Sequence, residues 1–355
     1  MEHDLRRLVL RSGALIDGAT GLPVEFGQPD EELRAALSHC ALVDRSDLGR
    51  IVATGPDVLD LLNRLSTGKV VGLPPGTGAQ TVITTAKGRI VERLFVHVLG
   101  PREVLLVGGP RSAERVIEHL RRFTFREDTG LVDRTEALCQ LALLGPAARE
   151  ALAAAGLAVP AAGGSLRVEF VGQPVHLLGE DGWSADGLSI VVERAGAGAV
   201  WRALNLAVGS VGGRAAGSRA ASAWRVLRGL PETGHELTED ANPLEAGLRA
   251  AVSFDKGCYV GQEVVARLNT YDKVARELCG FVLPPGAPAP AFGSLLFFQD
   301  AEVGRITSAL VPPGFPSAVA LGYLKRRVAE PGLEVAVGRP DGDVRARMTV
   351  LPFND

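Results

Sequence analysis

The sequence is poor in several residue types. Of its 355 residues only 4 are cysteine and 2 are methionine, and aromatic residues make up 5%. The cysteines, at 40, 139, 258 and 279, include no Cys-x-x-Cys pair. Neither a zinc ribbon nor a dithiol redox motif is encoded, and the expectation is a chain with reduced thiols in the cytoplasm. The six histidines form no His-x-His or His-Glu-x-x-His pattern. His235 and Glu236 begin the second pattern but Glu239 stands where its last histidine belongs, so no metal site is read. The uncharged stretch 151–166 is rich in Ala and Gly, holds Pro160 and is too short to cross a bilayer. The opening Met-Glu-His-Asp-Leu-Arg-Arg carries charges where a secretory leader needs an apolar core, so no leader is expected. Lysine supplies only 5 of the 38 cationic residues, which with the abundant Ala and Gly reads as composition bias. A net charge of −3 excludes a nucleic-acid binder driven by overall positive charge.

What is present is ordinary globular material, 46% hydrophobic and 22% charged, long enough for about two or three domains. Three segments share one local pattern. Residues 49–54 read as a strand, followed by Gly55-Pro56 and a helical face of Val58, Leu61, Leu62 and Leu65. Residues 103–107 are a strand, then Gly109-Pro110, then Val116, Ile117, Leu120 and Phe123 at helical spacing. Residues 140–144 are a strand, then Gly145-Pro146 and an Ala-rich helix to about Ala155. Proline suits a first helical turn, and the glycine before it lets the chain turn out of the strand. The pattern admits two explanations, a duplicated domain or a common turn used three times. Between the first two units, residues 81–85 and 89–98 flank Ala86-Lys87-Gly88 as a hairpin. Residues 188–193 and 200–208 add a strand and a helix.

Strands mixed with hairpins and helices predict an α+β body with antiparallel sheets. After residue 276 the texture becomes short β runs punctuated by Pro-Pro-Gly and Asp-Gly turns, which predicts a small antiparallel barrel. The expected division is a first α+β half over 1–135, a second over 136–250, a motif segment over 251–275 and the barrel over 276–355.

Residues 224–267 fit neither a plain helix nor a plain strand. Glycines at 229, 234, 247, 257 and 261 turn the backbone repeatedly, and charges alternate with small apolar residues. Such a segment is expected to form the polar wall of a cleft. Within it, Lys256-Gly257-Cys258-Tyr259 followed by Gly261-Gln262-Glu263 is a compact chemical cluster. A thiolate is a strong nucleophile, and a cation two residues away favours it. The two readings of Cys258 are a reactive thiol beside Lys256 and a cysteine buried in a turn. The neighbours of Cys40, Cys139 and Cys279 suggest only the second.

The stretches Gly-His-Glu-Leu-Thr-Glu-Asp-Ala-Asn-Pro-Leu-Glu-Ala-Gly-Leu and Lys-Gly-Cys-Tyr-Val-Gly-Gln-Glu resemble the YgfZ family, folate-binding relatives of the glycine-cleavage T-protein (aminomethyltransferase). The similarity begins near Val43-Asp44-Arg45-Ser46 and continues through Gly55-Pro56-Asp57. It ends in the barrel at 304–308 and 320–323. The resemblance implies two related α+β domains and a C-terminal β-barrel, a cloverleaf around a central channel that accepts tetrahydrofolate. It implies assembly or repair of iron–sulfur clusters in client proteins, tRNA-modifying enzymes among them, with no membrane and no direct nucleic-acid contact. By the same resemblance Cys258 and Lys256 are the reactive thiol and its cation. Tyr259, Gln262 and Glu263 belong to the signature at the ligand. Arg225 matches an arginine at the folate's carboxylate end. The T-protein's acidic pair matches Glu92-Arg93, and its pterin-holding glutamate falls on Ser184 after Trp183. With one acid replaced by a cation and the other by serine, aminomethyl transfer is not expected. The alternative is a folate-dependent aminomethyl or one-carbon transferase of T-protein type with Glu92 as acid/base.

Overall fold

A computed structural model describes residues 4–179, 187–339 and 344–353. It divides into two compact units, the first comprising 1–81 and 92–221 and the second 82–91 and 222–355.

The first unit opens with α1 (Asp4–Arg11), β1 (Leu15–Ile16), β2 (Pro23–Glu25), α2 (Pro29–Ser38) and β3 (Ala41–Asp44). Then follow β4 (Leu48–Thr54), α3 (Val58–Leu65), β5 (Gly78–Thr84), β6 (Ile90–Gly100), β7 (Glu103–Pro110), α4 (Ala113–Arg121) and β8 (Gly130–Asp133). The next stretch is β9 (Leu138–Leu144), α5 (Ala148–Ala154), β10 (Ser165–Phe170), β11 (Gln173–Gly179), β12 (Gly187–Glu193), α6 (Ala197–Ser210) and β13 (Arg214–Ala216). The five-stranded sheet has the order β5-β6-β7-β4-β8 and the six-stranded sheet the order β10-β11-β12-β9-β3-β13. The first four strands of each list run through the same topology, each with a helix after its fourth and third strand. That match decides for duplication over a recurring turn. The resemblance is not symmetric in detail, because β3 leaves its sequence neighbours and pairs with β9 in the six-stranded sheet.

Two of the three Gly-Pro turns are alike. Gly55 and Gly145 hold φ of +122° and +114°. A Cβ on Gly55 would lie 2.0 Å from the Asp128 carbonyl oxygen, and one on Gly145 would lie 2.6 Å from those of Ala36 and His39. Only glycine combines that backbone with that approach. The Gly109-Pro110 turn differs: β7 runs through Pro110, which opposes Leu48 at the strand's end, and the helix begins at Ala113. The core of the six-stranded sheet is built as periodicity dictates. Leu141, Leu143, Leu177, Ile190 and Val192 meet Val200, Trp201, Leu204 and Val208 of α6. Arg50 is fully buried, and its guanidinium donates to the carbonyls of Leu48, Ser46 and Thr135 at 2.7–3.0 Å. Charge on a group so enclosed is tolerated because backbone acceptors surround it.

The second unit takes the tip of the β5–β6 hairpin, α7 (Ser218–Leu227), a turn-rich run and α8 (Gln262–Thr270). It ends in β14 (Arg276–Pro285), β15 (Leu295–Phe298), β16 (Ala301–Leu310), β17 (Ser317–Lys325), β18 (Glu334–Val337) and β19 (Arg345–Thr349). These six strands close in the order β14-β17-β16-β15-β18-β19. The expected antiparallel C-terminal barrel is present, and closure leaves no open edge. Phe281, Leu296, Ile306, Leu324 and Val335 fill it.

Candidate functional site

The signature lies in the second unit, on a turn leading into α8. Its backbone is fixed by two glycines. Gly261, the residue before α8, is left-handed at φ +85°, and a Cβ there would lie 2.5 Å from the Thr85 carbonyl oxygen. Gly88, at φ +68°, would bring a Cβ within 3.2 Å of Val264 and Val265. The hairpin tip and the start of α8 therefore approach at distances that side chains at either position would prevent. Thr84 Oγ1 donates to the Val260 carbonyl at 2.6 Å and closes the contact. The sequence marked both glycines; only the packing shows what they permit.

On this turn Cys258 is exposed, whereas Cys40, Cys139 and Cys279 are buried. Burial pushes the thiols of Cys40 and Cys279 up to about 12. Of the two readings of Cys258, the buried turn cysteine is therefore excluded. Titration of the native protein with an aromatic disulfide reagent is expected to find one fast thiol, missing in Cys258→Ala, with three more reacting only in denaturant. Two or more fast thiols in the native protein would contradict the assignment.

The Lys256 ammonium lies 5.1 Å from the centre of the Tyr259 ring, a cation–π contact. Partial burial lowers Lys256 to about 8, so a sizeable fraction of this amine is neutral near that pH. Tyr259 is 7% exposed, and its hydroxyl has no hydrogen-bond partner among the described residues. Burial pushes that phenol up to about 12, so it is a neutral donor at working pH. Gln262 and Glu263 open α8, with Glu263 exposed where the helix dipole favours an acid.

Arg225 is placed differently from the expectation for a ligand anchor. It is 4% exposed, and its Nη1 donates to Glu236 Oε2 at 2.9 Å and to the Leu230 carbonyl at 2.8 Å. Its Nη2 donates to Ser308 Oγ at 2.8 Å, and Nε lies 3.4 Å from Glu232. These groups engage both Nη atoms within the unit, while Nε is buried without a hydrogen-bond partner among the described residues, so the observed part of Arg225 is to tie α7 and the following turn to the barrel. Glu236, fully buried, is the centre of this network and was not singled out from the sequence. Its Oε1 accepts from Thr307 Oγ1 at 2.8 Å and Ser308 Oγ at 2.6 Å, and its backbone carbonyl accepts from the Tyr323 hydroxyl at 2.9 Å. The partners lie 71–87 residues away in the chain, so no local pattern announces them. Arg225, Glu236 and Glu245, all read as part of a polar wall, are internal because each is ion-paired, Arg225 with buried Glu236 and Glu245 with half-buried Arg276.

Glu92 belongs to the first unit, on β6. It is fully buried, and its carboxylate accepts from Arg115 Nη2 at 2.6 Å, from the Arg93 amide at 3.0 Å and from the Gly109 amide at 3.3 Å. The Arg93 guanidinium lies 5.1 Å from the Phe95 ring centre. Trp183 and Ser184 lie outside the described residues. Among the described residues no three of His, Cys, Asp or Glu gather closely enough to hold a metal ion, and no helix is long and apolar enough to cross a membrane.

Residues 19–256 match the GCVT N-terminal domain, and residues 276–355 match the glycine cleavage T-protein C-terminal barrel domain. The chloroplastic protein At1g60990 of Arabidopsis thaliana, a transferase by name, is 30% identical over 99% of this chain and 80% of its own length. An aminomethyltransferase of Moorella thermoacetica is 30% identical over 94% of this chain and 91% of its own. The crystal structure of glycine cleavage system aminomethyltransferase T from Bartonella henselae superposes with a TM-score of 0.84, at 23% identity and over 99% of this chain and 97% of that one. The last of these speaks to the fold alone. Together with the duplicated α+β sheets and the closed barrel, these matches place the chain in the glycine cleavage T-protein family.

Proposed function

We propose that this family member is a YgfZ-type folate-binding protein that serves the assembly or repair of iron–sulfur clusters in client enzymes, tRNA-modifying ones included. The observation that carries the reading is Cys258: one thiol of four stands exposed, on a turn whose position two tightly packed glycines fix. Its partner in the reading is Lys256, two residues away on the same turn, whose ammonium meets the Tyr259 ring. Tetrahydrofolate is the proposed cofactor, and when bound it supplies a one-carbon carrier. Of the residues assigned to it, Tyr259 fits best, because its buried hydroxyl lacks a partner among the described residues and would donate to a polar group of the ligand. Arg225 fits less well, since its two Nη atoms already donate to internal acceptors. Gln262 and Glu263 flank the same turn and complete the proposed site.

A second reading, an aminomethyl or one-carbon transferase, is favoured by the names of the relatives, several of which are aminomethyltransferases. Against it stands Glu92, whose carboxylate already accepts three hydrogen bonds from its own chain, while Arg93 follows it as a cation. A general base needs a lone pair directed at the proton it takes.

The two separate in one experiment. In a strain lacking the gene, Cys258→Ala is expected to leave a client iron–sulfur enzyme about tenfold or more below the level that wild type restores, while Glu92→Gln restores it. Purified protein is expected to show no turnover of methylene-tetrahydrofolate with an aminomethyl carrier. Full restoration by Cys258→Ala would overturn the proposal, and turnover abolished by Glu92→Gln would establish the second reading.

A further inference from the structure

A cavity of about 220 Å³ lies within the first unit, between its two sheets. The strand registers explain its walls. On the six-stranded sheet Arg167, His176 and Val191 oppose one another across β10, β11 and β12. On the five-stranded sheet His97, Leu105 and Val52 do the same across β6, β7 and β4. Directly opposed residues project to one side of a sheet, so each row presents a single face. Val52, Leu99, Leu105, Leu138, Val191 and Val192 supply the apolar part of a mixed lining.

Five ionisable groups stand among these apolar ones: Glu103, Arg134, Arg167, His176 and Glu193. Arg134 and Glu193 satisfy each other, with Nη2 donating at 2.7 Å. Arg167 and Glu103 have no ion-pair partner among the described residues and act on His176 with opposite signs. Burial and the Arg167 charge hold the imidazole below its ordinary range, so it is neutral near pH 7. His176 Nδ1 and Arg134 Nε are shielded from solvent and lack hydrogen-bond partners among the described residues. Polar atoms left so in a lined cavity are the ones a ligand completes.

We propose that this cavity binds a zwitterion with a short apolar tail, an α-amino acid of the size of leucine. Its carboxylate meets Arg167, its ammonium meets Glu103, and the side chain lies against the valines and leucines of both sheets. The neutral His176 adds a hydrogen bond through Nδ1. The volume suits a small ligand: it lies below the roughly 300–1,000 Å³ of pockets for drug-sized ligands. One cation and one anion, both exposed and neither in an ion pair among the described residues, favour a zwitterion over a plain acid or a plain amine. Either of those meets one of these two exposed charges and leaves the other to water, whereas a zwitterion meets both.

The probes are L-leucine, 4-methylpentanoate, which lacks the ammonium, and 3-methylbutylamine, which lacks the carboxylate. Saturation-transfer NMR on the full-length protein is expected to show leucine binding, with each truncated probe weaker by about tenfold or more. Arg167→Met is expected to weaken leucine by a similar factor and leave the amine unchanged. Glu103→Gln is expected to weaken leucine and leave the acid unchanged. Cys258→Ala is expected to bind leucine as wild type does, which separates this site from the proposed function. Equal binding of the three probes, no transfer to leucine, or leucine binding unaffected by Arg167→Met and Glu103→Gln would overturn the proposal.

Discussion

Replacing Glu236 with alanine is expected to lower the unfolding free energy of the second unit by about 3–5 kcal/mol, the usual cost of breaking a buried ion pair from one side. The carboxylate is inaccessible and accepts from Arg225, Thr307, Ser308 and the Glu232 amide. Without it the Arg225 guanidinium keeps its burial but loses its close carboxylate, and the Thr307 and Ser308 hydroxyls each lose a charged acceptor. The loss follows from the uncompensated charge more than from the attraction itself. Arg225→Met combined with Glu236→Leu is therefore expected to recover part of the stability that either change alone removes. Equilibrium denaturation of the four proteins measures this directly. Independent, additive losses would show that the pair is not coupled. The same experiment bears on ligand anchoring: Arg225→Ala is expected to fall in melting temperature even with no ligand present.

Acid is expected to destabilise the first unit through His97. That ring is 2% exposed, and both of its nitrogens lack partners among the described residues. Burial, with a smaller contribution from His176, lowers it from 6.5 to about 4. Between those values the unfolded chain binds a proton that the folded one refuses. Stability is therefore intact above about pH 6.5 and falls as the pH drops toward 4, by about 1.4 kcal/mol per unit and about 3 kcal/mol in all. The measurement is urea denaturation from pH 7 to 4, comparing wild type with His97→Leu. The variant is expected to lose that part of the acid dependence even if it is less stable at pH 7. His176 shifts in the same direction, so His97→Leu with His176→Leu is expected to be flatter still. An unchanged slope in both variants would assign the acid response to the carboxylates instead.

Much of the architecture was readable because it rests on local rules. The runs at 278–283, 294–299, 301–308, 318–324, 333–337 and 344–350 each fall on one barrel strand, since turn residues and alternating apolar residues act over a few positions. The Gly-Pro turns at 55 and 145 were legible for the same reason, while Gly109-Pro110 misled, because a proline at the end of a strand looks the same in sequence as one that opens a helix. The pairing of β3 with β9 had no signal: strand exchange depends on which edge is available after collapse.

The candidate site divides along the same line. The sequence by itself determined that Cys258 stands in an unusual company of Lys256, Tyr259, Gly261, Gln262 and Glu263, because all are within five residues of it. Tertiary structure decided that this thiol, unlike the other three, meets solvent, and that Arg225 and Glu92 turn to internal partners. A charge's role depends on what lies within a few ångströms of it and how much water reaches it. For Arg225 that means Glu236 and Ser308, the second 83 residues along the chain, brought together only when the barrel closes.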